Sequence, residues 1–196
     1  MVGALMTHSE AWRPDRTVVI VGLMGAGKST VGRRLAARLE VPFIDADAEI
    51  EKAAGCSIED IFEVHGEAAF RDGERRVIAR LLDGPVHVLA TGGGAFMDAS
   101  TRQRIGEKGV SVWLRAGLDL LVRRTARREH RPLLKDHDQR QVLGQLIAER
   151  YPISAEAAVI VDCGDGPHEI VVQKILSGLS EWRAAGEAPE RAGATC

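Results

Sequence analysis

The sequence predicts an α/β fold in which helices cover both faces of a five-stranded parallel sheet, giving three layers. Five short apolar runs alternate with segments of helical spacing, as expected when crossover helices join parallel strands. A glycine-rich loop joins the first apolar run to the first helical segment. The 196 residues fit one domain, which we place at 17–183, between a loose extension over 1–16 and a flexible tail over 184–196.

Each apolar run has the length and composition of a buried strand. The first, Thr-Val-Val-Ile-Val, is entirely β-branched, and the second, Val-Pro-Phe-Ile, stops directly before Asp45. The third ends at three consecutive glycines, and the fourth and fifth alternate Val with Ser, Trp or Ile. The predicted strands cover 17–21, 41–44, 86–91, 109–114 and 158–162. The predicted helices cover 28–39, 46–54, 57–64, 66–82, 98–107, 117–128, 138–150 and 167–183.

Composition and charge exclude several classes of protein. The formal net charge is −2, so no overall field draws the chain to nucleic acid or to a membrane surface. The longest apolar runs are of strand length, well short of the ~20 residues that a membrane span needs. The three cysteines are far apart, without zinc-ligand or disulfide-scaffold spacing, which favours a cytoplasmic location. We also expect a monomer.

Residues 22–30, Gly-Leu-Met-Gly-Ala-Gly-Lys-Ser-Thr, form a complete P-loop motif between a strand and a helix. Its glycines let the backbone turn tightly and approach an anion, and the loop amides and the helix N-terminus face the phosphates. Lys28 supplies a positive charge at the β- and γ-phosphates, and Ser29 offers a hydroxyl to Mg²⁺. A glycine turn that merely precedes Lys-Ser is the alternative, which the flanking strand and helix disfavour.

Two carboxylates, Asp45 and Asp47, follow the second strand directly. Ligands of open parallel sheets collect beyond the carboxyl ends of the strands, so both side chains are expected beside the P-loop. There they suit the handling of a metal ion or a hydroxyl group. Asp45 could instead serve only as the cap of the next helix.

Two further patterns suggest a binding site, and each has an ordinary explanation. The run Gly92-Gly93-Gly94 follows the third strand, where glycines allow the backbone to pass close to a ligand, although a surface turn would look the same. Arg71 and Glu74 are three residues apart on a predicted helix and can pair. A paired arginine is held ready to bind a carboxylate with two prongs, but an ordinary surface ion pair has the same spacing.

The segment 123–140 carries six arginines and is interrupted by Arg131-Pro132. Most of these arginines are expected on a solvated helix face. The segment is nevertheless too basic and too interrupted to be a helix alone, so we predict a mobile basic lid over a nucleotide, at about 127–138.

Together these motifs resemble the shikimate kinase family, over about residues 17–180 in unbroken order. The residues that carry the resemblance are the P-loop at 22–30, Phe-Ile-Asp-Ala-Asp at 43–47, Ile61-Phe62 with Gly66-Glu67 and Phe70-Arg71-x-x-Glu74, Thr91-Gly92-Gly93-Gly94, Arg131-Pro132-Leu133-Leu134, and Arg150 before Pro152. The resemblance implies a nucleoside-monophosphate-kinase-like fold with a mobile lid and a substrate-binding segment at about 45–76. The family often has Tyr where this chain has Ser154, and Thr where it has Ala46.

The resemblance also implies the role of each site residue. Asp47 would contact the shikimate hydroxyls and accept a proton, Ser29 and Asp45 would serve Mg²⁺, and Glu74 would orient Arg71. The implied catalytic residues are Lys28, Asp47 and Arg131, the last as a lid arginine on the transferring phosphate. ATP would be bound by Gly25, Ala26, Gly27, Lys28, Ser29, Thr30, Arg124 and Arg131, with Pro167 a further candidate near adenine. Shikimate would be bound by Asp47, Arg71, Gly92, Gly93, Gly94 and Arg150.

The implied function is ATP-dependent phosphorylation of the shikimate 3-hydroxyl, in aromatic amino-acid biosynthesis. Two alternatives remain at this point. A kinase for another small polyol acid, such as gluconate, would share the P-loop and the acidic strand end. A nucleotide-binding switch with little turnover would share the P-loop alone. A nucleoside monophosphate kinase or a nucleic-acid partner is less consistent with these motifs.

Overall fold

The computed structural model describes residues 14–126 and 139–186. A five-stranded parallel sheet in the order β2–β3–β1–β4–β5 forms its centre, as predicted. The strands are β1 (Thr17–Val21), β2 (Phe43–Asp45), β3 (Val88–Ala90), β4 (Gly109–Ala116) and β5 (Val159–Cys163). The helices are α1 (Lys28–Leu39), α2 (Ala46–Ala54), α3 (Ile58–Leu82), α4 (Ala99–Lys108), α5 (Leu118–Thr125), α6 (Gln139–Ser154) and α7 (His168–Ala184), with a 3₁₀ turn at Ala95–Met97.

The sheet separates two apolar cores, which gives the predicted three layers. Alternate residues of β1 point to opposite faces, so Val18 and Ile20 join one core while Val19 and Val21 join the other. All four are essentially inaccessible to solvent. The first core packs against α1, α5, α6 and α7, and the second against α2, α3 and α4. Because both faces are covered, the central strands are apolar throughout rather than alternating.

Helix α3 is one bent helix where the sequence predicts two, over 57–64 and 66–82, and its bend is at Gly66, one residue after the predicted break. The backbone there has φ 78° and ψ 173°, a combination that side-chain-bearing residues rarely adopt. Ser57 begins the helix with a reciprocal capping box to Asp60. The bend therefore joins two helical halves, and the second half carries Arg71 and Glu74 toward the sheet.

Helix α1 lies unusually close to the sheet at Gly32. A Cβ added to Gly32 would be 2.5 Å from Cε2 of Phe43 on β2. A glycine at this position therefore lets the P-loop helix rest directly on the strand that ends in Asp45.

The predicted and observed element ends differ by a few residues. Strand β3 is shorter than the predicted 86–91, and α5 ends at Thr125 rather than at 128. Helix α6 extends four residues beyond its predicted end, through Pro152. No helix within the described ranges is both long and apolar enough to cross a bilayer.

Candidate active site

The P-loop wraps around its own lysine at the carboxyl end of β1. Gly22, Gly25 and Gly27 have φ values of 140°, 84° and 98°, so the loop uses backbone conformations that favour glycine. Lys28 Nζ donates hydrogen bonds to the carbonyl oxygens of Gly22 (2.8 Å) and Leu23 (3.2 Å). The first turn of α1 carries no acidic residue, so its positive end is available to an anion.

Ser29 and Asp45 meet beside this loop. Ser29 Oγ donates a hydrogen bond of 2.8 Å to Asp45 Oδ2, while Asp45 Oδ1 accepts from the backbone N–H of Asp47 at 3.2 Å. Asp45 is therefore the cap of α2 and also a neighbour of the P-loop hydroxyl. The helix cap that the sequence offers as an explanation for Asp45 is therefore present, and the other oxygen of Asp45 faces the P-loop.

Asp47 and Glu74 place two carboxylate oxygens against Gly92. A Cβ added to Gly92 would lie 2.7 Å from Glu74 Oε1 and 3.0 Å from Asp47 Oδ1. Both oxygens are buried without a hydrogen-bond partner among the described residues. Burial, reinforced by the charge of Asp45, raises the pKa of Asp47, although Lys28 and Arg71 oppose this. Asp47 is therefore a stronger base than an exposed aspartate.

Arg71 and Glu74 form an ion pair that is largely removed from water. Arg71 Nη1 donates to Glu74 Oε2 at 2.7 Å, and the Glu74 side chain is 3% exposed. Burial raises the pKa of Glu74 despite the opposing effect of Arg71. This burial excludes the ordinary surface ion pair that the spacing also allowed. Glu74 holds the Arg71 guanidinium from its buried side.

Arg150 is the second guanidinium of the site. It lies on α6, is partly buried, and donates a hydrogen bond of 2.9 Å from Nη1 to the carbonyl oxygen of Gly93. Burial and the nearby charge of Arg71 lower the pKa of Arg150. Two cations that repel each other in a partly buried space favour an anion between them.

The three glycines after β3 each touch a different functional side chain. Gly92 lies against Asp47 and Glu74, Gly93 against Arg150, and Gly94 against Arg71. A Cβ on Gly94 would be 2.8 Å from both Nη1 and Nη2 of Arg71, and one on Gly93 would be 3.6 Å from the backbone nitrogen of Met24 in the P-loop. The glycine run therefore connects the P-loop with the arginines and carboxylates, and a surface turn is excluded.

A cavity of about 460 Å³ opens beside these residues, a size that suits a small metabolite. It is lined by Glu67, Arg71, Glu74, Arg75, Gly94, Met97, Asp98, Thr101, Glu149, Arg150 and Ile153. Arg71 and Arg150 thus share one cavity, as the sequence analysis expects.

Arg124 is at the opposite side of the P-loop. It donates from Nη1 to the carbonyl oxygen of Ala26 at 3.3 Å and from Nη2 to that of Gly164 at 2.9 Å. Its guanidinium therefore spans the P-loop and the segment before α7, which begins after Pro167. Thr30 is in the first turn of α1, and Arg131 lies outside the described residues.

One residue of this site was missed by sequence reasoning as a functional candidate. Glu67 accepts hydrogen bonds from both Nε and Nη2 of Arg71. Its spacing of four residues from Arg71 was a usable signal, because side chains four apart share a helix face.

The residue that replaces the family's usual tyrosine, Ser154, is 4% exposed at the end of α6. Tyr151 packs edge-on against Trp113 and donates a hydrogen bond to the carbonyl oxygen of Ala116.

The strand order and the loop define the chain as a P-loop kinase of the nucleoside-monophosphate-kinase-like architecture. The family model described as shikimate kinase matches residues 24–180. The shikimate kinase of Paramagnetospirillum magneticum is 62% identical over 167 residues, covering 85% of this chain and 86% of that relative. That of Rhodopseudomonas palustris is 57% identical over 171 residues, covering 87% and 84%.

A solved structure agrees with these relatives. The shikimate kinase from Acinetobacter baumannii in complex with shikimate superposes with a TM-score of 0.81 at 39% identity, covering 85% of this chain and 93% of that one. The chain belongs to the shikimate kinase family. It is an ATP-using phosphotransferase, as the motifs predict.

Proposed function

We propose that this protein transfers the γ-phosphoryl group of ATP to the 3-hydroxyl of shikimate, with the site residues acting as described below. The single observation that carries the assignment of residues is the glycine run 92–94, which touches a base candidate and both arginines within reach of the P-loop. The relative solved with shikimate bound supports the same acceptor. A cytoplasmic monomer is our expectation for its state in the cell.

In this proposal Arg71 and Arg150 bind the carboxylate of shikimate. The two guanidinium groups line one cavity, and Glu74 holds Arg71 from the protein side at 2.7 Å. Arginine suits this role because its planar fork matches a carboxylate. The carboxylate would fix the ring so that a hydroxyl faces the P-loop across the glycine run.

Asp47 acts as the base. As the hydroxyl oxygen forms its bond to the γ-phosphorus, the bond from that phosphorus to the β–γ bridging oxygen breaks, and ADP leaves with the electron pair. The hydroxyl proton passes to Asp47, whose raised pKa favours accepting it. Lys28 and the N-terminus of α1 stabilise the charge on the phosphate oxygens.

The residues present fit a magnesium ion. Ser29 Oγ and Asp45 Oδ2 are hard oxygen donors 2.8 Å apart beside the P-loop. No group of three or more His, Cys, Asp or Glu side chains that could hold a metal ion occurs within the described ranges. When bound with ATP, magnesium would neutralise phosphate charge, and Ser29 and Asp45 would position it.

The test is ADP release from MgATP with and without shikimate, with gluconate and a nucleoside monophosphate as parallel acceptors. We expect strong stimulation by shikimate alone. Lys28→Ala should abolish turnover, whereas Arg71→Ala should chiefly raise KM for shikimate and leave ATP binding intact. ATP binding without stimulation by shikimate, or equal loss of ATP binding in both variants, would contradict the proposal.

A further inference from the structure

Glu67 places a carboxylate on the Nε–Nη2 edge of Arg71. A single oxygen, Oε1, accepts from Nε and from Nη2 of Arg71, each at 3.3 Å. Glu67 lines the cavity together with Arg71 and Arg150. The protein thus presents a carboxylate of its own where the acceptor's carboxylate is expected.

Arg71 also contacts Glu74 and the backbone at Gly94. Glu74 holds Nη1 from the buried side at 2.7 Å. The backbone at Gly94 lies against Nη1 and Nη2, so closely that a Cβ there would be 2.8 Å from both. Glu67 therefore occupies the Nε–Nη2 edge of the fork, and glycine at position 94 leaves the space beside Nη1 and Nη2 without a side chain.

The two glutamates hold Arg71 with different strength. Glu74 is 3% exposed and makes the short contact, whereas the Glu67 side chain is 67% exposed and makes two long ones. Charge-assisted hydrogen bonds of full strength are about 2.7–2.9 Å long. Glu74 is thus a permanent partner of Arg71, and Glu67 is one that a better-placed carboxylate can displace.

Charge in the cavity supports such a competition. Four carboxylates and three guanidinium groups are among the lining residues. The charge of Glu67 also reaches Arg150, where it opposes the lowering of the Arg150 pKa by burial and by Arg71. An arriving anion therefore gains most if it removes Glu67 from Arg71.

We propose that Glu67 is a displaceable stand-in for the acceptor's carboxylate, and that it sets how selectively the site takes carboxylated acceptors. This inference rests on the proposed function, because it assumes that Arg71 binds the acceptor. A ligand with a carboxylate replaces Glu67 on the fork, whereas a neutral ligand leaves Glu67 in place. Glu67 thereby keeps Arg71 oriented without substrate, and by competing for Arg71 it weakens the binding of carboxylated acceptors but not of neutral ones.

The test compares Glu67→Gln, which removes the charge, with Glu67→Asp, which keeps the charge but shortens the side chain by one methylene. Glu63→Gln is the matched control, because Glu63 is an exposed glutamate on the same helix, four residues earlier. Exposed ion pairs are worth little, so we expect KM for shikimate to fall by about two- to fivefold in both Glu67 variants. The kcat should stay unchanged, and Glu63→Gln should behave as the wild type.

A second arm uses the methyl ester of shikimate, which lacks the negative charge. Its dissociation constant, measured by calorimetry, should be the same for the wild type and for Glu67→Gln. A KM for shikimate that is unchanged or raised in Glu67→Gln would overturn the inference. So would an equal fall in Glu63→Gln, a Glu67→Asp variant that matches the wild type, or an ester that responds as shikimate does.

The two proposals fail in different ways. If the wild type shows no shikimate-dependent release of ADP, the proposed function is wrong. If the wild type is active and KM does not fall in the Glu67 variants, only the role of Glu67 is wrong.

Discussion

A small substitution at Gly92 should affect two buried carboxylate oxygens, Asp47 Oδ1 and Glu74 Oε1. The φ of Gly92 is outside the left-handed region, so alanine fits the backbone, but the new Cβ would be 2.7 Å from Glu74 Oε1 and 3.0 Å from Asp47 Oδ1. We expect Gly92→Ala to fold and to lose at least about tenfold in kcat, which corresponds to about 1.4 kcal/mol. Gly94→Ala displaces Arg71 instead, so it should mainly raise KM for shikimate. Steady-state kinetics of both variants check this, and identical profiles would contradict it.

Glu74 gives the fold a specific dependence on pH. Its pKa in the folded protein is above the ordinary value of 4.5, chiefly because the side chain is buried. A carboxyl group with a raised pKa contributes stability below its unfolded pKa, and this contribution is lost as the pH rises through the folded pKa. Glu74→Gln cannot ionise, so its stability relative to the wild type should increase from pH 4.5 upward.

Urea unfolding of both proteins at several pH values measures this difference. A relative stability that falls as the pH rises would show that the Arg71 ion pair outweighs burial. The same variant should bind shikimate less well, because a neutral amide holds Arg71 less firmly than a carboxylate does. If the relative stability of Glu74→Gln rises with pH as expected, Glu74 lowers the stability of the fold while it holds Arg71 in position for binding.

Helix α3 depends on a glycine at its bend, and a second glycine in the same helix provides a comparison. Gly66 has φ 78° and ψ 173°, where alanine costs about 1–3 kcal/mol, whereas Gly73 is helical and an added Cβ meets no atom within 4 Å. Gly66→Ala should lower Tm, at about 2–4 °C per kcal/mol for a protein of this size. Gly73→Ala should raise it slightly, since alanine favours helix by about 0.5–1 kcal/mol. Thermal melts of both variants measure these changes in Tm, and equal shifts would contradict the importance of glycine at the bend.

The elements could be predicted from sequence because strand composition and helical spacing are local properties. The first two helices and β1 have the predicted bounds. The end of α5 could not be predicted, because it involves a contact with another helix. The Thr125 hydroxyl donates a hydrogen bond to the carbonyl oxygen of Leu121 and accepts one from the side chain of Gln139 on α6. Likewise β3 covers only Val88–Ala90, the three residues that pair with β1 and β2.

The sequence predicts the Arg71–Glu74 pair but not the other side-chain contacts around it. Local patterns suggest Asp45, at the end of a strand, and Arg71, three residues before Glu74, whereas Arg150 is proposed only through the resemblance to the family. Local patterns do not reveal that Glu74 is buried or that Glu67 occupies an edge of Arg71, because both depend on how the second half of α3 packs. Such side-chain arrangements are set by tertiary packing, which periodicity does not encode.

At the scale of the whole molecule, the strand order concentrates the chemistry at one edge. Strands β2, β3 and β1 are neighbours, and their carboxyl ends lead into Asp45, the glycine run and the P-loop. Three segments far apart in sequence therefore meet where open parallel sheets bind ligands. Helix α6 adds Arg150 from the other half of the chain.

The close contact of Gly32 with Phe43 predicts that nucleotide binding and acceptor binding depend on each other. Because α1 rests on Phe43, we expect the P-loop and the end of β2 to move together, so that a nucleotide that orders the loop also orders Asp45 and Asp47. The acceptor then binds to residues that are already ordered, so its binding costs less conformational entropy. We expect MgADP to tighten shikimate binding by about fivefold or more, and shikimate to tighten MgADP equally. Calorimetry of each ligand with and without the other tests this cooperativity, and Gly32→Ala should weaken it by separating the two elements.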